Sequence, residues 1–202
     1  MRLHPTPSIL LGLTVLVALT GCQTNVSRVK TDEVIDLSGR WNDSDSQIVS
    51  REMIIDALDH RWIQDFESRG LGRPPVIIVG TIRNHSSEHV NTRTFVRDLE
   101  RAVINSGRAE FVADSGARDQ VRKEREAQVG MAQESTQSEH GHELGADYML
   151  LGTFDSIVDQ EGRRQVIFYQ VNLELVDLRT NRKVWIGDKK IKKYVAKSRM
   201  RR

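Results

Sequence analysis

His85 and His89 stand four apart with Glu88 between them, in the run Arg83-Asn84-His85-Ser86-Ser87-Glu88-His89. On a helix that spacing could hold a zinc ion. This run is polar, carries two serines, and lacks the His-Glu-x-x-His order, so it reads as a loop. His140 and His142 lie far off in another polar segment. No Gly-x-Ser-x-Gly elbow and no glycine-rich phosphate loop occurs. Asp and Glu are scattered, and no pair is set apart as acid and base. The residues therefore point to no catalytic site, no metal and no cofactor. They point instead to a binding element. Arg83, Asn84, His85 and Glu88 follow an apolar strand, where loops on a rigid scaffold concentrate recognition residues and where α/β folds place binding sites. Asn84 and Ser86 read equally well as simple loop caps.

Cys22 is the only cysteine, so no disulfide can form within the chain. It follows a start carrying one arginine, Met1-Arg2-Leu3-His4, and an apolar run from Ile9 to Leu19. Basic start, short apolar stretch and small residues before a cut are the layout of a secretory signal. The stretch is too short for a membrane-spanning helix, which needs about 20 apolar residues. Leu19-Thr20-Gly21-Cys22 resembles the lipobox of bacterial lipoproteins. That resemblance implies cleavage before Cys22, a diacylglycerol on its thiol and an acyl chain on its new amine. The lipid then removes the only thiol as a nucleophile. In enterobacterial lipoproteins an Asp after the cysteine directs retention in the inner membrane. Gln23 therefore points to the outer membrane, with the domain facing the periplasm.

Lys and Arg number 30 against 28 Asp and Glu, and the signs are mixed along the chain. No nucleic-acid footprint results. The expected organisation is a signal peptide over residues 1–21 and a lipidated cysteine with a short tether over 22–46. A globular domain follows over 47–195, then a basic tail over 196–202. The end from Lys189 to Arg202 carries eight basic residues and no acid. It reads as a solvated strand end, or as an attraction for anionic headgroups or peptidoglycan carboxylates. A tether of about 20 residues has an r.m.s. span of roughly 25 Å.

The elements that position the loop follow from periodicity. Asp45 or Ser46 caps a first helix. Its stripe is Ile48, Ile55, Leu58, Trp62 and Phe66, widened by Met53, Ile54 and Ile63, and Gly70 to Pro75 end it. Val76-Ile77-Ile78-Val79 is a strand buried on both faces. Asn91 or Thr92 caps a second helix with Phe95, Leu99, Ala102 and Val103 inward, closed by Gly107. Glu110 to Ala113 is a short strand. Arg118 to Gln133 is a charged, solvated helix, and Ser135 to Leu144 a further short one. Tyr148 to Ile157 is a strand, followed by a turn at Gln160 to Arg163. Ile167, Tyr169, Val171, Leu173 and Leu175 then share one strand face, with Gln170, Asn172 and Glu174 on the other. Arg179 to Asn181 turns into a last strand, Lys183 to Ile191. The order α-β-α-β-α-α-β-β-β predicts an α/β fold, a small mixed sheet flanked by helices. Trp41, alone in a polar segment, reads as a staple of the entering chain onto that fold.

Five segments together resemble one family. They are Val34 to Asp43, Ile82 to Thr92, Asp98 to Gly107, Gly145 to Gly152 and Tyr169 to Leu175. In this order they are similar to the LpoB family, outer-membrane lipoprotein activators of a bifunctional penicillin-binding protein. The likeness runs from about Val34 to Lys193. It implies a fold like the N-terminal domain of TolB, and a non-enzymatic protein that binds the synthase and stimulates it; the apolar pattern and the single cysteine separately predict a domain that folds alone as a monomer. The family's best-known members have a long proline-rich tether, whereas no proline lies between Cys22 and Arg73 here. An alternative within the same fold is a structural or assembly lipoprotein docking on an envelope or secretion complex.

Overall fold

The computed structural model describes residues 26–31, 33–129, 131–138 and 143–197. Cys22, His140, His142 and the tail 198–202 lie outside the described residues. The chain separates into two units, Met1–Glu33 and Val34–Arg202. In the first, the described residues are irregular.

The second unit opens on helix α1 (Asp43–Asp59). Its cap is Asn42, three residues ahead of the expected Asp45. Asn42 Oδ1 accepts the Asp45 N–H at 3.0 Å while Asp45 Oδ2 accepts the Asn42 N–H at 3.0 Å, a reciprocal box that closes two orphan donors. The stripe does not run on to Gly70. The backbone turns extended at His60, and a short helix α2 (Trp62–Glu67) starts afresh. Trp62 folds back, and its Nε1 donates to the Ala57 carbonyl at 2.7 Å, occupying an acceptor that the helix end leaves free. The break removes any phase relation between the two halves. Val49, Met53, Ile54 and Leu58 are buried in α1, whereas Ile48 and Ile55 are 43% and 56% exposed. A single stripe fitted across residues 48–66 turns those two inward.

Strand β1 (Val76–Asn84) leads to helix α3 (Thr92–Ser106), strand β2 (Glu110–Phe111) and helix α4 (Ser115–Gln128). Asn91 caps α3 and Gly107 closes it at φ 68°, as the sequence implies. Phe95, Leu99 and Val103 are its buried face. Helix α4 has no fully buried residue. The helix expected over Ser135 to Leu144 is, in its described part, one 3₁₀ turn at Glu134–Thr136. Three long strands close the chain: β3 (Tyr148–Glu161), β4 (Arg164–Asp177) and β5 (Lys183–Ala196).

The sheet order is β2-β1-β3-β4-β5. The first three strands run parallel, and β3, β4 and β5 form an antiparallel meander. This is the mixed sheet flanked by helices that the sequence predicts, with the first helix split in two. Gly162, at φ 58°, sits in the two-residue turn between β3 and β4, where a tight hairpin needs a left-handed backbone. Ile167, Tyr169, Val171, Leu173 and Leu175 are all at most 4% exposed. With Tyr148, Leu150, Phe154 and Trp185 they form one core with α1, α2 and α3. Each such side chain contributes about 1.5–3 kcal/mol by leaving water. Trp185 Nε1 donates to Asp56 at 2.8 Å, and Lys189 pairs with Glu52, so polar contacts join α1 to β5. The expected frayed basic end is thus strand as far as Ala196.

At the amino end of β3 two ion pairs tie the sheet to the segment after α2. Arg73 holds Asp147 through two bonds, 2.7 and 2.9 Å, and Asp147 also accepts the Val76 N–H. Arg69 reaches Asp177 at 2.7 Å, and Asp177 accepts the N–H groups of Arg179 and Thr180, both at 2.9 Å. Burial raises the Asp177 carboxyl, but the bonds from Arg69, Thr180 and Arg179 outweigh it and hold its pKa below the ordinary value. Asp147 is lowered in the same way, burial being opposed chiefly by Arg73. A carboxyl whose pKa is lower folded than unfolded stabilises fully above its unfolded value, near 3.9. It loses that contribution as pH falls through the folded value. We predict that urea unfolding shows stability falling as pH drops below about 4. Asp177→Asn should cost about 2 kcal/mol at pH 7 and flatten that acid limb. An unchanged acid limb in the variant would count against this assignment.

Candidate binding site at the end of the first strand

Arg83 and Asn84 are strand residues, not loop residues. They pair in register with Thr153 and Phe154 of β3 after a register shift between Val79 and Ile82. The shift lets a polar end of β1 continue along β3, which side-chain pattern alone did not signal. The His85 N–H donates to the Phe154 carbonyl at 2.7 Å and extends the ladder by one more bond. The loop proper is 86–90.

Asn84 closes that loop from inside. Its Oδ1 accepts the Ser86 N–H at 3.0 Å and the Ser86 hydroxyl at 2.7 Å, and its Nδ2 donates to the Glu88 carbonyl at 2.8 Å. This is the capping role that the sequence left open. His85 turns to the sheet face away from the core, with Nδ1 3.2 Å from Asp155 Oδ1. Asp155 Oδ2 accepts from Thr153 at 2.7 Å and from Asn172 at 3.2 Å. Gln170 donates to Asn172 at 2.7 Å. A hydrogen-bonded polar row thus joins β3 and β4 beside His85. Arg83 is exposed, and its guanidinium has no hydrogen-bond or ion-pair partner among the described residues.

Glu88 points the other way. Its Oε2 accepts the Trp41 N–H at 3.0 Å, and its Oε1 accepts the Tyr169 hydroxyl at 2.6 Å. Burial, with the Glu88 carboxylate alongside, pushes the Tyr169 hydroxyl far above its ordinary pKa. The Gly39 carbonyl lies 3.1 Å from the same hydroxyl. A Cβ at Gly39 would fall 2.1 Å from Val195 Cγ2, so only glycine lets the chain lie this close. Trp41 stacks edge-on against Phe154 at 4.3 Å and Tyr169 at 5.4 Å, and its Nε1 donates to Ser46 at 2.7 Å. It is the staple that the sequence suggests. Lys193 completes the clasp, 2.7 Å from both Asp36 and Asp45. Burial works against its charge, but the two carboxylates more than offset this and raise its pKa.

The four residues therefore divide. Arg83 and His85 face solvent on the open side of the sheet. Asn84 shapes the loop, and Glu88 bonds inward to the entering chain. The Gly39–Trp41–Glu88–Tyr169 junction was not read from sequence. Its partners are 47 and 81 residues apart, and only the lone Trp41 signalled it. His89 is exposed, and among the described residues no group of three His, Cys, Asp or Glu could hold a metal ion.

The family described as peptidoglycan-synthase activator LpoB matches residues 45–191. No curated protein matches the chain significantly. Among solved structures, the LpoB C-terminal domain from Salmonella enterica is 15% identical, covers 73% of this chain and 98% of its own, and has a TM-score of 0.42. Lipoprotein GNA1162 from Neisseria meningitidis is 19% identical, with 63% and 88% covered and a TM-score of 0.40. The LpoB C-terminal domain from Escherichia coli is 17% identical, with 64% and 94% covered and a TM-score of 0.37.

Proposed function

We propose, from the premise that this chain belongs to the LpoB family of peptidoglycan-synthase activators, that it is a non-catalytic lipoprotein of the outer membrane. It binds a bifunctional penicillin-binding protein directly and stimulates it. The family match is the observation that carries the reading, because it spans the α/β unit from α1 into β5. The lipobox-like Leu19-Thr20-Gly21-Cys22 supports anchoring at Cys22. No helix among the described residues is long and apolar enough to cross a membrane. Residues 1–21 act as the signal, and the stretch after Cys22 as a short tether. The domain acts as a monomer, through Arg83 and His85, with Asn84 and Glu88 holding the loop.

Arg83 is the sharpest probe. Arginine side chains are over-represented among the few residues that dominate interface energetics. An exposed arginine with no internal partner has little to do in folding. Arg83→Ala is expected to weaken binding to a purified bifunctional synthase about tenfold, roughly 1.4 kcal/mol. Its melting temperature should stay within a few degrees, since exposed substitutions usually cost under about 0.5 kcal/mol. Glycan-polymerisation assays at matched concentrations read the stimulation. If Arg83→Ala activates as well as wild type, the contact lies elsewhere. If wild type activates no such synthase, the assembly-lipoprotein reading replaces this one.

A further inference from the structure

Past the end of β1 the sheet continues as a three-stranded arm. The face opposite the core follows from the ladder. Ile167 and Tyr169 are buried, so Val166, Phe168 and Gln170 point away from the core. Register extends that face in rows: Arg83, Thr153, Asn172 and Asp188; then Asp155, Gln170 and Lys190; then Ile157, Phe168 and Lys192; then Asp159, Val166 and Tyr194. The last two rows hold an apolar cluster of Ile157, Phe168, Val166 and Tyr194. Ile157 is 67% and Tyr194 65% exposed. Folding of this chain does not bury them, and clustered exposed apolar side chains beside polar rows mark interaction sites. The polar rows are largely satisfied among themselves, through Asp155, Thr153, Asn172 and Gln170. Lys190 pairs with Asp188 at 2.8 Å. Arg83 and Lys192 have no partner among the described residues. From the Arg83 row to the Tyr194 row is about 20 Å along the strands.

We propose that this face, from Arg83 and His85 to Tyr194, is where the synthase docks. It takes a protein surface that presents an apolar side chain to the Ile157–Phe168–Tyr194 cluster, with carboxylates to meet Arg83 and Lys192. The proposal rests on the activator reading and supplies its surface. A second copy of this chain fits less well. A two-fold pairing sets the face against itself, and the only acid in these rows without a described partner is Asp159, against two such cations. A carboxylate-bearing partner satisfies both cations and covers the aromatic centre, the usual anatomy of an interface core and rim.

The test uses the full-length lipoprotein in detergent and a purified bifunctional synthase, with affinity measured at low and high salt. Ile157→Asp should weaken binding at least tenfold, and Lys192→Glu about fivefold with a shallower salt dependence. Ile55→Asp, on the exposed flank of α1, should bind like wild type. Melting curves accompany each variant. Lys192 is exposed, so Lys192→Glu decides the matter if Ile157→Asp proves unstable. Wild-type affinity in both variants overturns this surface while leaving the activator reading intact. A wild-type protein that binds no synthase overturns both. A wild-type dimer in light scattering that Ile157→Asp converts to monomer assigns the face to self-association and also overturns the proposal.

Discussion

Cys22→Ser is expected to abolish palmitate labelling, leave a heavier unprocessed precursor, and remove the protein from outer-membrane fractions. The lipid is carried on sulfur, and a serine hydroxyl is a far weaker nucleophile than a thiolate. No second thiol exists to substitute for it. Anchoring is steep in chain number. Each buried methylene contributes about 0.8 kcal/mol, and a single myristoyl chain gives only marginal, reversible binding. Three acyl chains at Cys22 would make attachment stable, and none would make it negligible. The effect is therefore all or nothing. Metabolic labelling with palmitate, gel mobility and density-gradient fractionation read it out. Persistent label in the variant would sink the lipoprotein assignment. The proposed docking face lies wholly in the unit Val34–Arg202. The same variant, purified, should still bind a synthase in solution while failing to stimulate it in cells.

How far the sequence carries can be seen element by element. β4 was legible in full, because alternation over Ile167 to Leu175 admits one register and a slip would expose every core residue. α3 was legible from both ends, through Asn91 and Gly107. The α1/α2 break was not. No glycine or proline marks residues 60–61, and the break is fixed by Trp62 reaching the Ala57 carbonyl, a contact that exists only once the helix has ended. Polarity alone places Arg83 and Asn84 in the loop. They are strand because β3 offers them a ladder past an irregular step in β1. Polarity groups Glu88 with Arg83 in the same way. A glutamate in a Ser/Asn-rich run reads as solvated, and what turns it inward is a tyrosine in a strand that pattern alone assigned to the core. Local periodicity thus reports elements and faces. It does not report which polar side chain a distant residue will claim.

Glu88→Ala is expected to destabilise the domain strongly. The carboxylate accepts from Tyr169, which is fully buried, and from the Trp41 backbone. Hydrogen bonds to a charged group contribute about 1.5–3 kcal/mol, and a donor left unmet in the interior costs about 1–3 more. The Gly39 carbonyl can recover the Tyr169 donor in part, so the net loss is set at about 3 kcal/mol. For a chain of this size that lowers the melting temperature by about 6–12 °C. Glu88→Gln should fall between. Its amide oxygen can serve one donor, but its NH₂ then faces the other donor unfavourably. Tyr169→Phe removes the matching hydroxyl, so the double variant should lose less than the sum of the singles, by about 1–2 kcal/mol. Strict additivity would show that Glu88 and Tyr169 do not act together. The consequence for function is one of position. Glu88 joins the loop behind His85 to Trp41, and Trp41 to the segment that Lys193 clasps through Asp36. The chain entering from the tether and the strand end that presents Arg83 are therefore held by one carboxylate. If Glu88→Ala weakens synthase binding, the loss should track the unfolding of this junction and be recovered as temperature is lowered. The loss in Arg83→Ala, at the proposed contact, should persist in a fully folded protein.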